Sequence, residues 1–142
     1  MTAPTLLGGV GSPAWEALVE SLAAARRILV ICHVNPDPDT LGSGLALAQA
    51  FRADGRAAEV TFDADPFLVP RGLQFLPGAD EVLAPDQIDP DVDVVLAVDC
   101  SSPDRLGRLL AVAEGAGVFA VLDHHASNTG FGGICVVQPG MS

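Results

Sequence analysis

Three stretches of the chain are apolar at nearly every consecutive position: Arg27-Ile-Leu-Val-Ile-Cys32, Asp93-Val-Val-Leu-Ala-Val98 and Gly117-Val-Phe-Ala-Val-Leu122. A strand with one face in water alternates apolar and polar residues, so short unbroken runs rich in branched side chains predict strands covered on both faces, as in a parallel sheet. Ala58 to Phe62 predicts one more strand. Between these runs the spacing becomes helical. Trp15, Leu18, Val19 and Leu22 recur after Ser12 as an N-cap and Pro13 as a first helical residue, predicting a helix that ends near Arg26. Leu41, Leu45 and Ala48 predict a second helix from about Leu41 to Asp54, with Gly55 at its C-terminal cap. Leu106, Leu109, Leu110 and Ala113 predict a third from Pro103 to Glu114. The stretch from Asp63 to Pro90 carries Pro66, Pro70, Pro77, Pro85 and Pro90 and reads as loop, with a short strand at Glu81 to Leu83. Alternating strands and helices predict an α/β fold: a parallel, doubly wound, Rossmann-like sheet flanked by helices and joined by right-handed crossovers.

Composition narrows the setting. With 142 residues, 49% of them hydrophobic and 18% charged, the chain suits one domain, residues 1–142, that buries a sizeable core. No apolar run reaches the ~18 to 20 residues of a membrane span, and the start MTAPTLLGGVGSP lacks the cationic opening of a signal peptide, so a cytoplasmic protein without a membrane partner is expected. Cys32, Cys100 and Cys135 are odd in number, well separated and without a CxxC pair, and so read as reduced, buried packing residues. The net charge is −11, with seven arginines and no lysine. Long single strands and duplexes bind through many cationic contacts to phosphate, which this surface does not offer. Small phosphorylated substrates or very short oligonucleotides stay compatible if bound divalent cations supply the positive charge. Arg71, Arg105 and Arg108 read as solvated surface charges.

The chemistry concentrates at strand ends. All three histidines lie in acidic clusters, His33-Val-Asn-Pro-Asp37-Pro-Asp39 and Asp123-His124-His125, and Asp99 closes the apolar run between them. In open α/β sheets ligands bind beyond the carboxyl ends of the strands, where all three points fall. Together they form the ligand inventory of a two-metal site. Several carboxylates with few nitrogens favour manganese over zinc, with magnesium also accommodated, and two such ions clamp a phosphoryl group and acidify water. Gly42, Ser43 and Gly44 are expected to open the second helix, where free N–H groups suit a phosphate oxygen; for the two glycines close helix packing is the equal alternative. No GxGxxG follows the first long strand, which argues against a dinucleotide binder.

The motifs His33-x-Asn-Pro-Asp37-x-Asp39-x-x-Gly42-Ser43, Val98-Asp99 and Asp123-His124-His125-Ala-Ser-Asn128-x-x-Phe131-Gly132 resemble those of the DHH family of phosphoesterases, in particular its bacterial nanoRNase (oligoribonuclease) and pAp-phosphatase branch. The resemblance runs from the first long strand to about Val137. It implies a hydrolase using two Mn²⁺ ions (or Mg²⁺) on nanoRNA, pAp or linear and cyclic dinucleotides. It further implies that one metal takes His33, Asp37 and Asp99 and the other Asp39, Asp99 and His124, so that Asp99 bridges. His125 would face the substrate phosphate, Asp123 would orient an imidazole, and Ser43 and Asn128 would contact substrate. The family also has a fourth acidic motif farther on and a C-terminal, glycine-rich substrate-binding domain. Neither falls within these residues, so the chain reads as the N-terminal part of a longer enzyme. The alternative is a catalytically incomplete nucleotide- or metal-binding module. A homodimer is compatible with either.

Overall fold

The computed structural model describes residues 3–141. In chain order the elements are β1 (Leu6–Gly8), α1 (Pro13–Ala24), β2 (Arg27–Cys32), α2 (Pro38–Ala53), β3 (Ala57–Thr61), β4 (Val94–Val98), α3 (Leu109–Glu114), β5 (Val118–Asp123) and β6 (Ile134–Val137). The strands form one sheet in the order β1-β6-β5-β4-β2-β3, with every pairing parallel. The α/β expectation therefore holds. Successive residues of a strand point to opposite faces, and both faces are covered. Ile28, Val30 and Cys32 of β2 join the cluster built on α1 and α2, through Leu18, Leu41 and Leu45. Leu29 and Ile31 join the other, with Val95, Ala97, Leu109 and Ala113. That two-sided burial is why these strands are apolar at every position.

From β2 the chain steps outward to β3, and from β4 it steps the other way to β5 and β6. The direction of winding thus reverses between β2 and β4, and the carboxyl ends flanking that reversal are where open α/β sheets place their ligands. His33 leaves β2 there and Asp99 leaves β4.

Several local expectations are corrected. The second helix begins at Pro38, because Asp37 caps it: Asp37 Oδ1 accepts the Thr40 N–H at 2.9 Å and proline takes the first position, which needs no N–H. Gly42, Ser43 and Gly44 therefore lie inside the helix, where N–H groups are used by its own ladder, and do not form a phosphate cradle. Gly44 packs: a Cβ there would lie 2.9 Å from Cys32 Sγ and 3.4 Å from a Val30 methyl. The third helix is broken into a 3₁₀ turn (Pro103–Leu106) and α3 by Gly107 at φ +58°, where a Cβ would meet Asp63 Oδ2 at 2.3 Å. Glu81 to Leu83 is not a strand: a 3₁₀ turn spans Ala79–Glu81, and Leu83 makes only an isolated parallel bridge to Thr61. β1 and β6 were not expected. Each is short, and β1 pairs with β6 at the sheet edge in the register Leu6↔Ile134. Among the described residues no helix is long and apolar enough to cross a membrane.

Candidate metal centre

The centre is assembled from three strand ends and one helix start. His33 is pinned by Thr40, a fully buried residue that the sequence reading passed over: its Oγ1 accepts the His33 N–H at 3.3 Å and donates to the Val98 carbonyl at 2.8 Å. One hydroxyl thereby ties the ends of β2 and β4 to the first turn of α2. The signal was the Asp-x-x-Thr spacing after a proline-flanked aspartate, whose cap places Thr40 against the sheet. Asp99 leaves β4 at φ +57° and Asn35 sits in the His33 loop at φ +51°. Non-glycine residues rarely occupy this left-handed region, and such conformations cluster at functional sites.

Asp99 stands between two imidazoles. Its Oδ2 lies 3.6 Å from His33 Nε2, and its Oδ1 lies 2.7 Å from His124 Nε2. Asp37 Oδ2 is 3.4 Å from the same His33 nitrogen, and Asp39 Oδ2 is 4.0 Å from His124 Nε2. The tautomers follow from the remaining contacts. His33 Nδ1 is 2.7 Å from the Val34 carbonyl and His124 Nδ1 meets the Met141 carbonyl; a carbonyl only accepts, so each Nδ1 carries its hydrogen. In the neutral rings both Nε2 atoms then turn lone pairs toward Asp99. Its Oδ1 is buried and, opposite the neutral His124 ring, has no hydrogen-bond donor among the described residues. Converging acceptors with no hydrogen between them suit a cation, and the carbonyl contacts are those that orient metal-ligating imidazoles.

Where no cation sits, the electrostatics favour a proton in its place. Burial, reinforced by the nearby Asp37 charge, pushes the Asp99 carboxyl up from its ordinary range. The Met141 carbonyl, with a further contribution from Asp99, holds the His124 imidazole above its ordinary value, against the opposing effect of burial. Cys32 and Cys100 are buried and pushed up to about 12 and about 11 by desolvation, which leaves neutral thiols that pack rather than ligate.

Asp123 is enclosed. Its Oδ1 accepts from His125 Nδ1 at 2.6 Å and its Oδ2 from Asn128 Nδ2 at 2.9 Å, with no exposed side-chain surface. Although close to Asp99, His124 and His125, it has both oxygens engaged and serves to orient His125. Asn128 spends its amide within the loop, donating also to the Cys100 carbonyl and accepting from the Gly130 N–H. Ser43 is exposed on the second turn of α2. It shares a cavity of about 330 Å³ with Trp15, Leu47, Asp39, Asp99 and His124. Of the arginines read as solvated, Arg108 is ion-paired with Asp63 at 2.6 Å, and Arg105 lies against His33, with Nη2 3.0 Å from Nδ1.

Residues 27–140 match the N-terminal domain of the DHH family. The chain belongs to the DHH family. It is 36% identical over 129 residues to the bifunctional oligoribonuclease and PAP phosphatase NrnA of Thermus thermophilus, an alignment covering 88% of this chain and 37% of that protein. An exopolyphosphatase-related protein from Bacteroides fragilis shares the fold with a TM-score of 0.77 at 24% identity, over 89% of this chain and 39% of that one. The chain spans less than two-fifths of the length of either relative. In this DHH domain the adjacent histidines divide their contacts. His124 turns Nε2 to Asp99, while His125 is held through Nδ1 by Asp123, leaving its own Nε2 as the ring's free nitrogen.

Proposed function

We propose that the domain is the metal-binding part of a phosphoesterase acting on short oligoribonucleotides, pAp or dinucleotides. The observation that carries the reading is Asp99: one buried carboxylate facing two imidazole nitrogens through different oxygens, with no donor on Oδ1. His33, Asp37 and Asp99 would hold one divalent cation, and Asp39, Asp99 and His124 the other. The carboxylate-rich donor set favours manganese. When bound, such a pair of cations polarises a phosphate ester and makes water a nucleophile near neutral pH.

This chain's own residues do the positioning. Asp123 accepts the Nδ1 hydrogen of His125 and fixes the plane of the ring, so that the Nε2 edge is the one that would face a substrate phosphate, donating to it as the imidazolium. Asn128 in turn fixes Asp123. Beside Asp39 the cavity carries the apolar walls of Trp15 and Leu47, which suit a flat apolar group such as a nucleobase better than a second phosphate. Substrate choice is supported by the 36% identity to a protein named for oligoribonuclease and PAP phosphatase activity. The decisive experiment is calorimetric titration of metal-free protein with Mn²⁺, followed by an assay of phosphate release from pAp and mononucleotide release from a short RNA. Two ions per chain, bound more weakly in Asp99→Asn, is the expected result, with poor hydrolysis by this chain and both activities present in a protein of its relatives' full length. A single ion, unaffected by that substitution, would refute the bridged centre, and two ions without hydrolysis even in the full-length protein would favour a binding module.

A further inference from the structure

Four of the seven arginines meet carboxylates: Arg27 with Asp89, Arg52 with Glu81, Arg56 with Asp54 and Arg108 with Asp63. Arg105 does not. Among the described residues its guanidinium makes one side-chain contact, Nη2 to His33 Nδ1 at 3.0 Å. That contact is poorly matched. His33 Nδ1 already directs its hydrogen to the Val34 carbonyl at 2.7 Å, and a nitrogen bearing a hydrogen cannot accept from a guanidinium, which only donates. A cation on His33 Nε2 would keep that hydrogen in place. The Arg105 backbone is nevertheless anchored: its carbonyl accepts the Val34 N–H at 2.8 Å, and the neighbouring Leu106 side chain is fully buried. The result is an exposed, permanently charged fork of N–H donors, tethered to the His33 loop and lacking an anionic partner, in a chain of net charge −11.

We propose that Arg105, held against His33, is a phosphate-binding residue of this centre that donates to the non-bridging oxygens of a phosphate docked on the cations. The planar guanidinium matches two phosphate oxygens at once. The proposal rests on the metal centre above.

Orthophosphate titrated calorimetrically into the Mn²⁺-loaded chain tests it, alongside Mn²⁺ titrated into the metal-free chain. Arg105→Gln should weaken phosphate binding about tenfold, the loss expected for a charge-assisted hydrogen bond, with Mn²⁺ affinity unchanged. Arg105→Lys should recover part of it, since charge returns without the fork. Arg26→Gln, which removes the same charge just before β2 at the opposite end of the sheet, should leave phosphate affinity alone. Equal phosphate affinity in wild type and Arg105→Gln overturns the proposal, as does a loss confined to Mn²⁺ affinity, which would make Arg105 a support for His33. Failure of the wild type to bind Mn²⁺ would instead remove the metal centre itself.

Discussion

Asp99→Asn should raise the stability of the metal-free protein while removing its response to metal. In the native fold the Asp99 carboxyl is shifted upward, chiefly by burial and then by the Asp37 charge. The sign follows: a carboxyl with a folded-state pKa above its unfolded value adds stability only when protonated, and that contribution is lost as pH rises through the folded value. At neutral pH the charged form is therefore a burden, and asparagine mimics the relieved state. The substitution also ends the orphaning of Oδ1. An amide nitrogen placed at that atom, 2.7 Å from His124 Nε2, donates to a lone pair where the carboxylate opposed one. Relieving a buried unsatisfied polar atom is worth about 1–3 kcal/mol. Asparagine tolerates the φ of +57° as well as aspartate does, so no new strain is introduced. For a domain of this size about 1 kcal/mol moves the melting temperature by roughly 3–4 °C, which gives an expected rise of about 3–12 °C in a chelator. In Mn²⁺ the order should reverse. A ligand at about 100 times its dissociation constant stabilises by about 2.7 kcal/mol per site, and only the wild type retains a bridging carboxylate to bind it. Thermal melts of both proteins in EDTA and in Mn²⁺ measure the crossing. A variant that melts at or below the wild type in EDTA, or that rises with Mn²⁺ as the wild type does, would refute the reasoning.

Thr40→Val keeps the shape but deletes the hydroxyl between His33 N and the Val98 carbonyl; denaturant unfolding should show a loss of about 1–3 kcal/mol, and calorimetry a weaker Mn²⁺ site. Gly44→Ala sets a helix-propensity gain of about 1 kcal/mol against an overpacking cost of about 1–3 kcal/mol. With a Cβ 2.9 Å from Cys32 Sγ, overpacking should win, and adding Cys32→Ala should recover stability in the same melts. Asp63 is held below the ordinary carboxylate range by the Arg108 side chain first, with its backbone N–H adding to the effect. Its stabilising contribution is thus complete above the unfolded carboxyl value of about 4 and disappears as pH falls through the lower folded one. Melts at pH 6 and pH 3 should show the wild type losing more stability between them than Asp63→Asn; equal losses would contradict the assignment.

What the sequence made legible depended on how local the physics was. β2 was read as Arg27 to Cys32 and is found there, because burial on both faces leaves a run with no polar interruption. β1 and β6 escaped because three and four residues carry no usable period, and the pairing between the two joins parts of the chain more than 120 residues apart. The start of α2 was misplaced by weighing apolar spacing above the Asp37-Pro38 cap. The clustering of His33, Asp37, Asp39, Asp99 and the Asp123-His124-His125 run was visible because parallel topology delivers strand ends to one edge. Partner choice was not visible. Nothing in the local sequence distinguishes Arg108, which finds Asp63, from Arg105, which finds a histidine 72 positions away.

The candidate ligands are not equally prepared for a cation. Asp37 is fixed by its own capping bond, so one carboxylate starts a helix through Oδ1 and faces His33 through Oδ2. His33 and Asp99 are buried. These three therefore lose little conformational freedom on binding, and preorganisation of this kind converts directly into affinity. Asp39 differs: its side chain is 65% exposed and its nearest ligand atom is 4.0 Å away. A cation between Asp39, Asp99 and His124 has to order that side chain as it binds. Asp39 also sits in the first turn of α2, where the positive end of the helix dipole already favours its charge and competes mildly with the cation for it. The strand ends and the Asp37 cap are thus held in place, while Asp39 is the candidate ligand that has to be ordered. A cation at His33, Asp37 and Asp99 would therefore meet a preformed set of donors, and one at Asp39, Asp99 and His124 would have to complete its own.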